Sequence, residues 1–116
     1  MPKIQVNDVE IYYEIHGKGF PIVMIHGFSA NLDWWPQSLI NELSKTFKVI
    51  LFDNRGAGRT DKPDMEYSIR LFADDTAGLI NALNIKKAVI IGLSMGGYIA
   101  QELTLNYPEK VEKLIL

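Results

Sequence analysis

The stretch that decides the fold runs Ala88-Val89-Ile90-Ile91-Gly92-Leu93-Ser94-Met95-Gly96-Gly97. Its apolar residues do not alternate with polar ones, which reads as a strand buried on both faces, as in a parallel sheet. A helix follows with almost no loop, from about Met95 to Asn106, and Tyr107-Pro108 ends it. Between strand and helix lies G-x-S-x-G. The pattern alone is weak: at an average glycine usage near 7%, about a few per cent of chains this long show it by chance. Its place between a buried strand and a helix makes it strong. A sharp strand-to-helix turn forces Ser94 into a strained backbone conformation and lifts its hydroxyl above the sheet. Gly92 and Gly96 are needed because a Cβ at either position would collide with neighbouring backbone. The helix N-terminus adds positive potential where an oxyanion would form. The competing reading is a tight turn whose serine merely caps the helix. A dinucleotide fingerprint is rejected, because glycines at 92, 96 and 97 do not make G-x-G-x-x-G, and a P-loop lacks its Gly-Lys-Ser/Thr ending.

Outward from this stretch, Pro21 opens a second continuous run, Ile22-Val23-Met24-Ile25, which stops at His26-Gly27. A third, Val49-Ile50-Leu51-Phe52, ends in the polar, Gly-rich loop Asp53 to Asp64. Before them, Ile4 and Val6, then Val9, Ile11 and Tyr13, alternate as two strands joined at Asn7-Asp8, an antiparallel hairpin. A helix is expected from about Trp34 to Lys45, with Trp35, Leu39, Ile40 and Leu43 on one face. Ser68 caps a further helix whose buried stripe is Leu71, Phe72, Leu79, Ile80 and Leu83. Val111 to Leu116 begins another strand. Strands alternating with helices after a hairpin predict an α/β fold with a mainly parallel sheet. A chain ending on Leu114-Ile115-Leu116, inside a strand, is read as cut, so residues 1–116 are expected to be a single truncated core domain.

Composition removes other classes. The 116 residues are 47% apolar and 22% charged with no cysteine, which excludes a disordered chain, a collagen and a disulfide scaffold. Twelve basic against fourteen acidic residues leave a net charge of −2, and no basic stretch could track a nucleic-acid backbone. The apolar runs are too short to cross a bilayer, and Met1 to Gln5 lacks the apolar core of a signal peptide. A cytoplasmic protein with no membrane or nucleic-acid partner is expected. No cofactor is expected, and two separated histidines without cysteine make no metal-ligand set.

Three landmarks then fall in one order: His26-Gly27-Phe28 after the third strand, Asp53-Asn54-Arg55-Gly56-Ala57-Gly58-Arg59-Thr60 after the fourth, and Gly92 to Gly96 after the fifth. Together they make the whole chain resemble the N-terminal half of the α/β-hydrolase family, in particular its small carboxylesterases and enol-lactonase-like enzymes. The middle landmark matches that family's D-x-R-G-x-G-x-S/T loop, with Thr where Ser is commoner.

The resemblance implies a serine hydrolase cleaving a small-molecule ester or lactone through an acyl-enzyme. Ser94 would be the nucleophile, and the backbone N–H groups of Phe28 and Met95 the oxyanion hole. His26, Gly27, Trp34 and Tyr98 are candidate pocket residues; for Trp34 and Trp35 the blander reading is helix packing or core. Asp53 and Arg55 are read as fixing their loop by hydrogen bonds and an ion pair. The family's base His and acid follow the serine, yet after Ser94 the only acids are Glu102, Glu109 and Glu112, and there is no His. His16 reads as a surface residue, and His26 as shaping the oxyanion loop. The expected partner is therefore a missing C-terminal half or a second chain that carries acid and base. The isolated chain is expected to self-associate along the open edge at Leu114-Ile115-Leu116. The alternative from another class is a non-catalytic binding or self-associating module built from the first half of the fold.

Overall fold

A computed structural model describes residues 2–27 and 30–116, and in it the three apolar runs are the central strands β3 (Phe20–Ile25), β4 (Phe47–Phe52) and β5 (Ala88–Gly92). Hairpin strands β1 (Lys3–Val6) and β2 (Val9–His16) precede them, and β6 (Val111–Ile115) follows. The sheet order is β1-β2-β4-β3-β5-β6. β1/β2 and β2/β4 are antiparallel, whereas β3/β4, β3/β5 and β5/β6 are parallel.

The absence of alternation in the runs has a direct cause: both faces of the sheet are covered. Val23, Ile25, Ile50, Phe52 and Ile90 enter one core with α2 (Ile69–Ala82) and α3 (Met95–Asn106). Ile22, Met24, Val49 and Leu51 enter the other, with Leu32, Trp35 and Ile40 of the segment containing α1 (Gln37–Leu43). Successive side chains of a strand point to opposite faces, so each run serves two cores and every position must be apolar.

The helix expected from Trp34 to Lys45 is broken. A short 3-10 turn covers Leu32–Trp34, and α1 begins only at Gln37, after Pro36. The residue before proline is pushed to extended backbone, and Trp35 sits at φ −70, ψ 133. Leu39 is consequently exposed while Ile40 is buried. Strands β2 and β4 also run beyond their apolar cores, because Ile15 and His16 pair with Ile50 and Val49, and Phe47 and Lys48 pair with Phe20 and Pro21. The Ser68 cap is present, its hydroxyl accepting the Leu71 N–H at 3.0 Å.

The loop after β4 carries a buried ion cluster. The side chains of Arg55 and of Asp75 in α2 are each only 1% exposed, and the guanidinium donates to both Asp75 oxygens at 2.9 and 2.8 Å. The same guanidinium reaches the hairpin turn, meeting Asp8 at 2.6 and 3.2 Å. These bonds hold Arg55 charged well above the ordinary arginine range and hold the Asp8 carboxyl below its ordinary value. Three chain segments far apart in sequence are thus tied by one side chain.

Two outcomes follow from this cluster. Replacing Arg55 by Ala strands a buried carboxylate, and the urea midpoint should fall by the equivalent of about 3–5 kcal/mol; a loss under about 1 kcal/mol would show the pair is not structural. Because the folded state lowers the Asp8 pKa, its contribution is full above the ordinary carboxylate value and is lost as pH falls. Urea midpoints measured between about pH 5 and 2 should therefore fall less steeply in Asp8→Asn than in the parent.

Candidate active site

The site is built where α3 starts on top of the sheet. A Cβ on Gly96 would lie 2.1 Å from the Ile25 carbonyl oxygen, and one on Gly92 would lie 2.3 Å from the Gly96 oxygen. Both obstacles are backbone and cannot swing aside, so only glycine permits the helix to begin this close to β3 and β5. The Leu93 N–H donates to the Ile25 oxygen at 3.1 Å and ties the turn to the neighbouring strand. Ser94, between turn and helix, takes φ 58, ψ −124, a left-handed conformation that is strained for a residue with a Cβ.

Ser94 makes no capping hydrogen bond to α3, which removes the reading of this residue as a mere helix cap. Its side chain is exposed instead. Of the first N–H groups of α3, those of Gly96 and Gly97 donate to the Leu93 and Ser94 carbonyls, each at 2.8 Å. The Met95 N–H has no acceptor among the described residues. An exposed hydroxyl thus stands at a helix N-terminus beside an unused backbone donor, which is the equipment needed to attack a carbonyl and hold the resulting negative charge.

The loop after β3 lies along the same hydroxyl. A Cβ on Gly27 would come within 3.4 Å of Ser94 Cβ and 3.6 Å of its Oγ. Phe28, the other expected oxyanion donor, falls outside the described residues. His26 is 9% exposed, and its Nδ1 accepts the Gly27 N–H at 2.8 Å. That bond selects the tautomer protonated at Nε2, and burial lowers the His26 pKa below the ordinary histidine value. The ring packs 4.6 Å from Trp35 and edge-on, 6.0 Å, against Trp34. Trp35 is buried in the core on the α1 side, as the blander reading had it, whereas Trp34 is 63% exposed. Among the described residues neither histidine is hydrogen-bonded to Ser94; His16 pairs with Glu14 at 3.0 Å, part-exposed on β2.

On the opposite flank, Ser94 and Tyr98 share a concavity of about 420 Å³ with Gly92, Gly97, Gln101 and Leu116. A larger one, about 520 Å³, is lined by Asn81, Asn84, Ile85, Lys86 and Lys110. Residues 84–86 precede β5 and Ser94 follows it, so the two lie at opposite ends of the strand. Ligands of open α/β sheets bind outside the carboxyl ends of the strands, which favours the concavity at Ser94. No cluster of three or more His, Cys, Asp or Glu able to hold a metal occurs among the described residues, and no described helix is long and apolar enough to cross a membrane.

Asp53 and Arg55 hold the neighbouring loop. Asp53 accepts the Leu32 N–H at 2.7 Å and the Arg59 N–H at 2.9 Å, while Arg55 is engaged as above. Between them stands a residue that sequence reasoning passed over. Asn54 is 5% exposed and donates from Nδ2 to the His26 carbonyl at 3.1 Å. Only the pairing of β3 with β4 brings these two positions together, and no local spacing could announce it.

Residues 21–116 match the family model described as alpha/beta hydrolase fold. A 2-hydroxymuconate semialdehyde hydrolase of Pseudomonas sp. (strain CF600) is 37% identical over 103 residues, 86% of this chain and 36% of the relative. Among solved structures, the enol-lactonase of Burkholderia xenovorans LB400 superposes with a TM-score of 0.93 at 32% identity, over 97% of this chain and 45% of the other. Est816, described as an N-acyl homoserine lactone degrading enzyme, gives 0.88 at 41% identity, over 97% and 43%. The chain spans less than half the length of each of these proteins. The elbow at Ser94, the glycine contacts beneath it and the match across three-quarters of the sequence and more agree: the chain belongs to the alpha/beta hydrolase fold family.

Proposed function

We propose that Ser94 is the nucleophile of a hydrolase that cleaves a carboxylic ester or lactone through an acyl-enzyme. The observation that carries this reading is the strained, uncapped, exposed Ser94 beside a Met95 N–H that has no acceptor among the described residues. A base removes the Ser94 proton as Oγ attacks the substrate carbonyl carbon, and the carbonyl π electrons move onto oxygen. The N–H groups of Met95 and Phe28 receive that oxyanion. Collapse expels the alkoxide, which takes the proton from the base, and water then releases the acyl group by the same steps in reverse.

The base and its acid come from outside these 116 residues. No histidine follows Ser94, and His26 already spends Nδ1 on the Gly27 N–H. Substrates are small molecules with a carbonyl that fits between the flank formed by His26, Gly27 and Trp34 and the concavity at Tyr98. Relatives named as an enol-lactonase and an acyl homoserine lactone degrading enzyme support the ester and lactone class.

The enzyme at its natural length should hydrolyse short p-nitrophenyl esters, and Ser94→Ala should lower the rate about 10⁴- to 10⁶-fold. More than a tenth of the activity retained would remove Ser94 from the role. Residues 1–116 expressed alone should show little or no esterase activity, at least about 10⁴-fold below the longer enzyme, because without its base Ser94 keeps its proton. Comparable turnover that disappears in His26→Ala would make His26 the base and overturn this division of the site.

A further inference from the structure

We propose that Asn54 is a positioning residue for the oxyanion side of the site, acting through the His26 carbonyl; this rests on Ser94 being the nucleophile. The 26–27 peptide group is held at both of its polar atoms. Its oxygen, on His26, accepts from Asn54 Nδ2 at 3.1 Å, and its N–H, on Gly27, donates to the His26 ring at 2.8 Å. The same oxygen lies against the first turn of α3, since a Cβ on Gly96 would meet it at 2.9 Å. The peptide so clamped runs beside Ser94 Oγ and leads directly into Phe28.

Asn54 is itself held rigid. Its carbonyl accepts the Ala57 N–H at 3.0 Å, and the residues on either side are pinned by Leu32 and Arg59 and by Asp75 and Asp8. The amide orientation is set by its partner, because a carbonyl oxygen can only accept, so Nδ2 must face it. The other amide atom, Asn54 Oδ1, is buried without a hydrogen-bond partner among the described residues. A buried, half-satisfied amide is a worse choice for packing than an apolar side chain of the same size. The donor function toward His26 accounts for an amide at this position where packing alone does not. Oxyanion stabilisation is steep in geometry, and a misplacement of about 1 Å can cost about 10²-fold. Loss of the Asn54 donor frees the 26–27 peptide to rotate about its flanking bonds and shifts the backbone that packs against Ser94 and the first turn of α3.

The test compares Asn54→Ala and Asn54→Leu with the parent enzyme at natural length. Leucine nearly keeps the volume and lacks the donor without burying a charge, so it reads the hydrogen bond even where alanine fails to fold. With p-nitrophenyl acetate, kcat per folded molecule should fall about 10- to 10²-fold in either variant while KM stays within about threefold. Inhibition by an aryl trifluoromethyl ketone, whose serine adduct places an oxyanion in the same hole, should weaken by the same factor as kcat/KM. A kcat within about twofold of the parent, or ketone affinity unchanged while kcat falls, would overturn the proposal. Ser94→Ala run alongside separates the two levels. If it stays active, the nucleophile reading fails; if it is inactive while both Asn54 variants match the parent, only the positioning role of Asn54 fails.

Discussion

Everything at this site follows from how closely the backbone of α3 approaches the ends of β3 and β5. Gly96 stands where a Cβ would be 2.1 Å from the Ile25 carbonyl, and Gly92 where one would be 2.3 Å from the Gly96 carbonyl. With the helix seated there, the single residue that makes the turn has to adopt φ 58, and that residue is Ser94. Such a conformation costs on the order of 1–3 kcal/mol and persists only where the surroundings over-determine it. Here they do, because Ile99, Ala100 and Leu103 of the same helix are fully buried against the sheet. Burial of the helix face holds the strain, and the strain holds the hydroxyl outward.

The polar counterpart is the run Asp53-Asn54-Arg55. Its three side chains bond in three directions: Asp53 to the backbone of Leu32 and Arg59, Asn54 to the end of β3, and Arg55 to the hairpin and α2. All three are buried, at 1%, 5% and 2% exposure, and these bonds offset the cost of burying them, with Asn54 Oδ1 the one side-chain atom of the three residues left unpaired among the described residues. The loop therefore behaves as part of the core. Through Arg55 it is bonded to the hairpin turn and α2, and through Asn54 to the end of β3 beside Ser94.

What the sequence made legible was local or periodic. The runs at 22–25, 49–52 and 88–91 announced central strands because both faces of the sheet are covered, and the elbow stood out because strand, serine and glycines are contiguous. Ser68 was readable as a cap for the same reason. The errors came where a local rule was outweighed by another: an apolar helical period across Trp34 to Lys45 concealed Pro36, which starts α1 at Gln37 and leaves Leu39 exposed. The ends of β2 and β4 were invisible because Ile15 and His16 are strand only through pairing with β4, and Phe47 and Lys48 only through pairing with β3. Arg55 was read as an ion-pair partner, but Asp75 and Asp8, 20 and 47 positions away, could not be named. Asn54 was passed over for the same reason: its significance lies in a bond to a residue on the neighbouring strand.

The central claim is chemical, that Ser94 Oγ carries the acyl group during turnover. The most direct measurement is rapid acid quenching of the natural-length enzyme during hydrolysis of p-nitrophenyl acetate, followed by peptide mass mapping. The account predicts an acetyl adduct on the peptide containing Ser94, formed in a burst before steady turnover. An adduct on any other residue, or turnover with neither burst nor adduct, would contradict it.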